Sequence, residues 1–118
     1  MRYMLDTNIC IYVIKHKPES VFRELKKISP EDVCISSITY AELAYGVEKS
    51  VQTERNRLAL AMMLSSIDIA AFDDAAAAEY GEIRASLEKG GTPIGSLDML
   101  IAAHARSAGC RFEHPVFC

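Results

Sequence analysis

Short apolar runs alternate with longer helical segments along this chain, and that alternation restricts the fold more than any other feature. The runs at residues 2–5, 33–35 and 67–69 suit strands and are too short for helices. Residues 9–15 read as a helix behind the capping side chains of Asp6, Thr7 and Asn8. Pro18 opens an amphipathic segment with Val21, Phe22, Leu25 and Ile28 on one face, closed by Ser29-Pro30. Further helices are predicted over 38–50, 53–66, 73–89 and 96–108. Gly90-Gly91 stops the alanine-rich third of these, and Gly109 caps the last. Strands separated by helices imply an α/β fold, a parallel sheet flanked by helices in three layers. In such sheets ligand sites lie beyond the carboxyl ends of the strands. Chemistry is therefore to be sought just after each strand.

The 118 residues suit a single domain spanning 1–118, half of them apolar and a quarter charged, which excludes a disordered chain. There is no apolar run long enough to cross a membrane as a helix. Asp6 and Asn8 interrupt the N-terminal apolar stretch and no small-residue cleavage site follows, so this stretch reads as folded structure and the expected location is the cytoplasm. The four cysteines, Cys10, Cys34, Cys110 and Cys118, show no C-x-x-C or zinc spacing and read as reduced packing thiols. Thirteen basic and sixteen acidic residues leave a net charge of −3. A chain that binds nucleic acid through a basic surface leans positive. Either this one binds none, or bound divalent cations supply the missing charge.

Three acids occupy the positions the fold singles out. Asp6 follows the first strand, Glu42 lies in the first turn of the helix after the second, and Asp98 in the first turn of the last helix. Each has a structural alternative. Asp6 suits a helix cap, Thr39-x-x-Glu42 matches a capping box, and Asp98 suits the positive end of a helix. Capping does not require all three at one sheet edge, and a carboxylate cluster there suits Mg²⁺ or Mn²⁺, hard cations that take oxygen ligands and keep several waters. Asn8 reads as a cap or a supporting group. His104, six residues after Asp98, reads as structural or as a hydrogen-bond donor behind the site. Asp73-Asp74 reads as a helix cap, and Asp68, Arg84 and Lys89 as solvated. Lys15, His16 and Lys17 form a basic cluster that reads as a solvated helix end, with contact to an RNA backbone as the alternative.

The segments MLDTNICIYVIKHKP, ISSITYAELAYGVEKS and PIGSLDMLIAAHARSAG resemble, in order and spacing, the three motif blocks of VapC-type PIN-domain ribonucleases, over residues 2 to about 109. The resemblance implies a Mg²⁺- or Mn²⁺-dependent endoribonuclease, the toxin of a type II toxin–antitoxin pair, that hydrolyses RNA phosphodiester bonds without a protein nucleophile. It carries over Asp6, Glu42 and Asp98 as the catalytic and metal-binding acids, with Asp6 and Asp98 as the most direct ligands. Thr7 would support a carboxylate or water on the metal. It further implies a homodimer, a VapB-like antitoxin peptide, and a transfer- or ribosomal-RNA substrate. The apolar residues around Phe22, Leu43, Tyr45, Leu58 and Met62 are then available to a partner.

Family members continue past the last helix into a strand, a Thr-Asn/Asp turn with a fourth polar site residue, and a final strand. Residues 110–118 lack that turn, so the last strand region is expected to be truncated. Pro115 disfavours a paired central strand, and Glu113 is the only acid there to stand in for the fourth position. An alternative reading is therefore a degenerate, weakly active or inactive PIN-domain protein that mainly binds antitoxin. A small phosphatase-like or nucleotide-binding protein is a third, opposed by the lack of a glycine-rich loop after the first strand.

Overall fold

The computed structural model describes residues 2–15, 23, 27–91 and 95–113, with 111–113 as backbone only. The chain runs β1 (Tyr3–Leu5), α1 (Thr7–Lys15), a 3₁₀ turn (Pro30–Asp32), β2 (Val33–Ser36), α2 (Ser37–Glu48), α3 (Thr53–Leu64), β3 (Asp68–Ala70), α4 (Asp74–Lys89), α5 (Ser96–Ala108) and β4 (Arg111–Glu113). All strand pairs are parallel, in the order β3-β2-β1-β4. Met4 pairs with Cys34 on one side and Phe112 on the other; Leu5 pairs with Ile35 and Glu113.

Side chains alternate across the sheet and build two cores. Leu5, Val33 and Ile35 point to one face, where Ile9 and Cys10 of α1, Leu43 of α2 and Leu60 of α3 cover them. Met4 and Cys34 point to the other, under Ile101 and Ala105 of α5. The expected three-layer α/β architecture is thus present, and burial on both faces explains why the strands read as unbroken apolar runs. From β1 the chain adds β2 and then β3 on one side, and finally places β4 on the other. The order reverses at β1, so the crevice at its carboxyl end is where ligand chemistry belongs.

Local differences from the sequence reading have identifiable causes. The first helix begins at Thr7 rather than residue 9, because Asp6, not Asn8, is its cap: Ile9 N–H donates to Asp6 Oδ1 at 2.9 Å. The Thr39–Glu42 capping box does not form. β2 runs straight into α2, so Ser36 becomes the cap, accepting from Ile38 N–H, and Thr39 is buried within the first turn. β3 lies one residue later than expected, since Asp68 pairs with Cys34 while Ile67 packs into the first core. Asp73 caps α4 by accepting from Ala76 N–H, and Gly109 ends α5 at φ 69°, as expected of each. Leu43 is a buried core residue, whereas Tyr45, Leu58 and Met62 are exposed. The segment from Pro18 to Leu25 lies almost wholly outside the described residues, as do His16, Lys17 and residues 114–118 with Pro115. The strand expected to begin after Gly109 does form, as β4 on the free side of β1.

Candidate active site

Each expected acid is delivered by a different element. Asp6 is the residue where β1 ends and α1 begins, so the strand end fixes its backbone and the capping bond to Ile9 fixes its carboxylate. It is 5 % exposed. Its charge adds to burial in holding the neighbouring Cys10 thiol far above the ordinary range. Glu42 sits on the second turn of α2, half-buried, and accepts a hydrogen bond from Thr7 Oγ1 at 2.6 Å. The bond joins the first residue of α1 to α2 across 35 positions and sets the direction of the Glu42 carboxylate. Asp98 is the third residue of α5 and is exposed.

The three acids line one cleft of about 440 Å³, together with Thr7, Asn8, Gly95, Ser96 and Leu97. Sequence reasoning named the acids, Thr7 and Asn8, but not the wall formed by residues 95–97. The signal for it was the glycine before α5: Gly95 is the helix cap and offers no side chain to the first amides of α5. A Cβ built on Gly95 would lie 3.5 Å from Asp98 Oδ2, in the space over that carboxylate. Glycine keeps that space clear.

The donor set fits a hard divalent cation. It is oxygen-only, it is anionic, and the space beside Asp98 is unobstructed. Among the described residues no three His, Cys, Asp or Glu side chains stand close enough to form a cage around an ion. Mg²⁺ is ordinarily held by one or two carboxylates and several waters, so an open cleft suits it better than a cage.

His104 points away from the cleft. It is buried, with Nδ1 2.8 Å from Ser36 Oγ and its ring edge-on to Phe72 at 5.4 Å. Burial lowers its pKa, against smaller opposing effects of Asp73 and a hydrogen bond to the Ala71 carbonyl. Ser36 caps α2, so His104 acts by tying α5 to the start of the helix that carries Glu42.

Residues 3–112 match the sequence profile of the PIN domain. The chain belongs to the PIN-domain family. Within it, the chain groups with the VapC ribonucleases. It is 50 % identical over 109 residues to the tRNA(fMet)-specific endonuclease VapC of Shigella flexneri, covering 92 % of this chain and 82 % of that protein. It is 46 % identical to the tRNA(fMet)-specific endonuclease VapC of Salmonella typhimurium with the same coverage. Its fold superposes on VapBC2 from Rickettsia felis bound to a promoter DNA fragment, with TM-score 0.87, 37 % identity and coverage of 97 % and 98 %. DNA-bound VapBC from Salmonella typhimurium gives TM-score 0.86 and 38 % identity, with the same coverage. In this PIN domain no helix among the described residues is long and apolar enough to cross a membrane.

Proposed function

We propose that this chain is the toxin of a VapBC pair and acts in the cytoplasm as a divalent-cation-dependent endoribonuclease on transfer RNA. The observation that carries the reading is the convergence of Asp6, Glu42 and Asp98, from three separate elements, on one cleft at the carboxyl end of β1. Similarity to two relatives named tRNA(fMet)-specific endonucleases supports transfer RNA as the substrate class.

Asp6 and Asp98 would hold Mg²⁺ or Mn²⁺, with Glu42 behind them. When bound, the cation activates water and offsets charge on the scissile phosphate. Asp6 is fixed by its capping bond and Glu42 by Thr7, so two carboxylates are set before substrate arrives. The start of α5, which no side chain caps and whose first residues line the cleft, would favour an anionic backbone there. Glu42 would accept a proton from the attacking water, and Asn8 would offer a hydrogen-bonding amide, since both line the cleft.

An antitoxin peptide is the proposed protein partner. A second groove of about 280 Å³ shares Thr7 and Glu42 with the cleft and continues over Ile11, Ile14, Leu43 and Val47. An apolar peptide lying there ends at the catalytic acids. The exposed Tyr45, Leu58 and Met62 supply an apolar surface for the homodimer. The test is cleavage of initiator and elongator transfer RNA with Mg²⁺, Mn²⁺ or chelator, comparing wild type with Asp6→Asn and Asp98→Asn. Cation-dependent cutting of initiator tRNA that both variants lose by at least about 100-fold is expected. Equal residual activity in all three proteins overturns the assignment and leaves the antitoxin-binding reading.

A further inference from the structure

Two cysteines outside the cleft lie against each other. Cys34 Sγ and Cys110 Sγ are 3.9 Å apart, brought together from positions 76 residues distant. Cys34 lies within β2, fully buried on the face that α5 covers, among Met4, Ile101 and Ala105. Cys110 packs on the same cluster from the connection between α5 and β4. It follows the left-handed Gly109, its backbone N–H donates to Ala105 O, and it is partly exposed. Cys10 packs in the opposite core, beneath α1.

We propose that Cys34 and Cys110 are a dithiol–disulfide pair that a peroxide closes and a dithiol reductant reopens, stapling the α5–β4 corner to β2. A disulfide needs sulfurs about 2.05 Å apart, so the two must approach by roughly 1.9 Å. Cys110 supplies the movement, because it sits in a connector rather than in a helix or strand. It is also the sulfur that a small oxidant reaches. Its thiolate attacks one peroxide oxygen and the O–O bond breaks; the departing hydroxide takes up the proton the thiol had released, leaving a sulfenic acid and one water. The Cys34 sulfur then attacks the Cys110 sulfur. The S–O bond breaks, and the departing hydroxide takes the Cys34 proton as a second water. Two thiols lose two electrons in total and the peroxide gains them.

Burial, with a smaller contribution from Cys110, pushes the Cys34 thiol up to about 11. Cys34 therefore stays protonated at neutral pH and resolves the bond rather than starting it. The consequence reaches the cleft from behind. β2 ends in Ser36, which caps the helix carrying Glu42, and α5 carries Asp98. The staple joins the elements behind two walls of the site.

The experiment uses the full chain and a Cys118→Ser version, since Cys118 is an alternative partner for Cys110. Each is treated with a small excess of hydrogen peroxide, blocked with an alkylating reagent and mapped without reduction by mass spectrometry. A Cys34–Cys110-linked peptide that dithiothreitol removes is expected in both. Closing so long a loop is expected to raise Tm by about 5–15 °C, and Cys110→Ser, at a partly exposed position, abolishes the rise. Cys34 recovered only as alkylated thiol, or Cys110 linked only to Cys10 or Cys118, overturns the proposal. A linked peptide without a change in Tm overturns the stapling role.

Discussion

Replacing Ser36 and His104 singly and together tests how the two walls of the cleft are joined. Ser36 Oγ accepts from Ile38 N–H and meets His104 Nδ1 at 2.8 Å. Burial disfavours the charged imidazole, and the neutral tautomer with its other ring N–H facing the Ala71 carbonyl lets Nδ1 accept the serine hydroxyl proton. Ser36→Ala removes a helix cap, about 1 kcal/mol, and orphans a buried acceptor, about 1–3 kcal/mol. The expected loss is about 2–4 kcal/mol. His104→Phe keeps an aromatic ring beside Phe72 but strands the Ser36 hydroxyl and the Ala71 carbonyl, with a loss of similar size. In the double variant the serine–histidine penalty is counted once, so the losses fall short of additivity by about 1–2 kcal/mol. Urea unfolding of the four proteins, read from midpoints with unchanged slopes, measures the coupling. Losses that add to within about 0.5 kcal/mol refute the buried bond as a link between α5 and α2.

His104 also predicts a pH dependence. Its folded pKa is lowered below 6.5, so the unfolded chain binds more protons just below that pH. Stability is full above 6.5 and falls as pH drops from there toward the folded pKa, by at most about 1.4 kcal/mol per unit; the difference between wild type and His104→Phe in urea midpoints at pH 7.5 and 5 shows it. Thr7→Val removes the 2.6 Å bond to Glu42 and should lower RNA cleavage about 10- to 100-fold, a loss that Thr7→Ser restores. Gly95→Ala adds a methyl group 3.5 Å from Asp98 Oδ2 without a backbone clash. It should leave Tm unchanged while raising the Mg²⁺ concentration for half-maximal cleavage several-fold.

The sequence showed the layers because burial on both faces leaves a direct mark. Strands walled on each side read as unbroken apolar runs, and helices between them as amphipathic ones. The acids were legible for a related reason: in a parallel sheet the positions after strands converge, so local placement stood in for distance. The partnerships were not legible. Thr7 with Glu42, Ser36 with His104 and Cys34 with Cys110 are separated by 35, 68 and 76 positions, and no local pattern announces them. Where the local pattern did speak, it misled: Thr39-x-x-Glu42 has the spacing of a capping box. A strand that enters a helix without a loop gives the cap to its own last residue, which frees Glu42 for Thr7.

Asp6 shows why structural and catalytic readings of one residue need not compete. Its Oδ1 already accepts Ile9 N–H, and that bond is what a cap requires. A carboxylate held this way at a strand end has its direction fixed by the fold before any cation arrives. On the proposed function, the capping bond would also orient a metal ligand, and the charge is what the site would use. The two contributions separate under substitution. Asparagine caps about as well as aspartate but carries no charge, whereas alanine loses both. Asp6→Asn should therefore keep Tm within a few degrees of wild type while abolishing cleavage, and Asp6→Ala should lower both, with roughly 1 kcal/mol of stability lost to the missing cap. If Asp6→Asn unfolds as readily as Asp6→Ala, the capping role is wrong. If it cleaves as well as wild type, the metal-binding role is wrong.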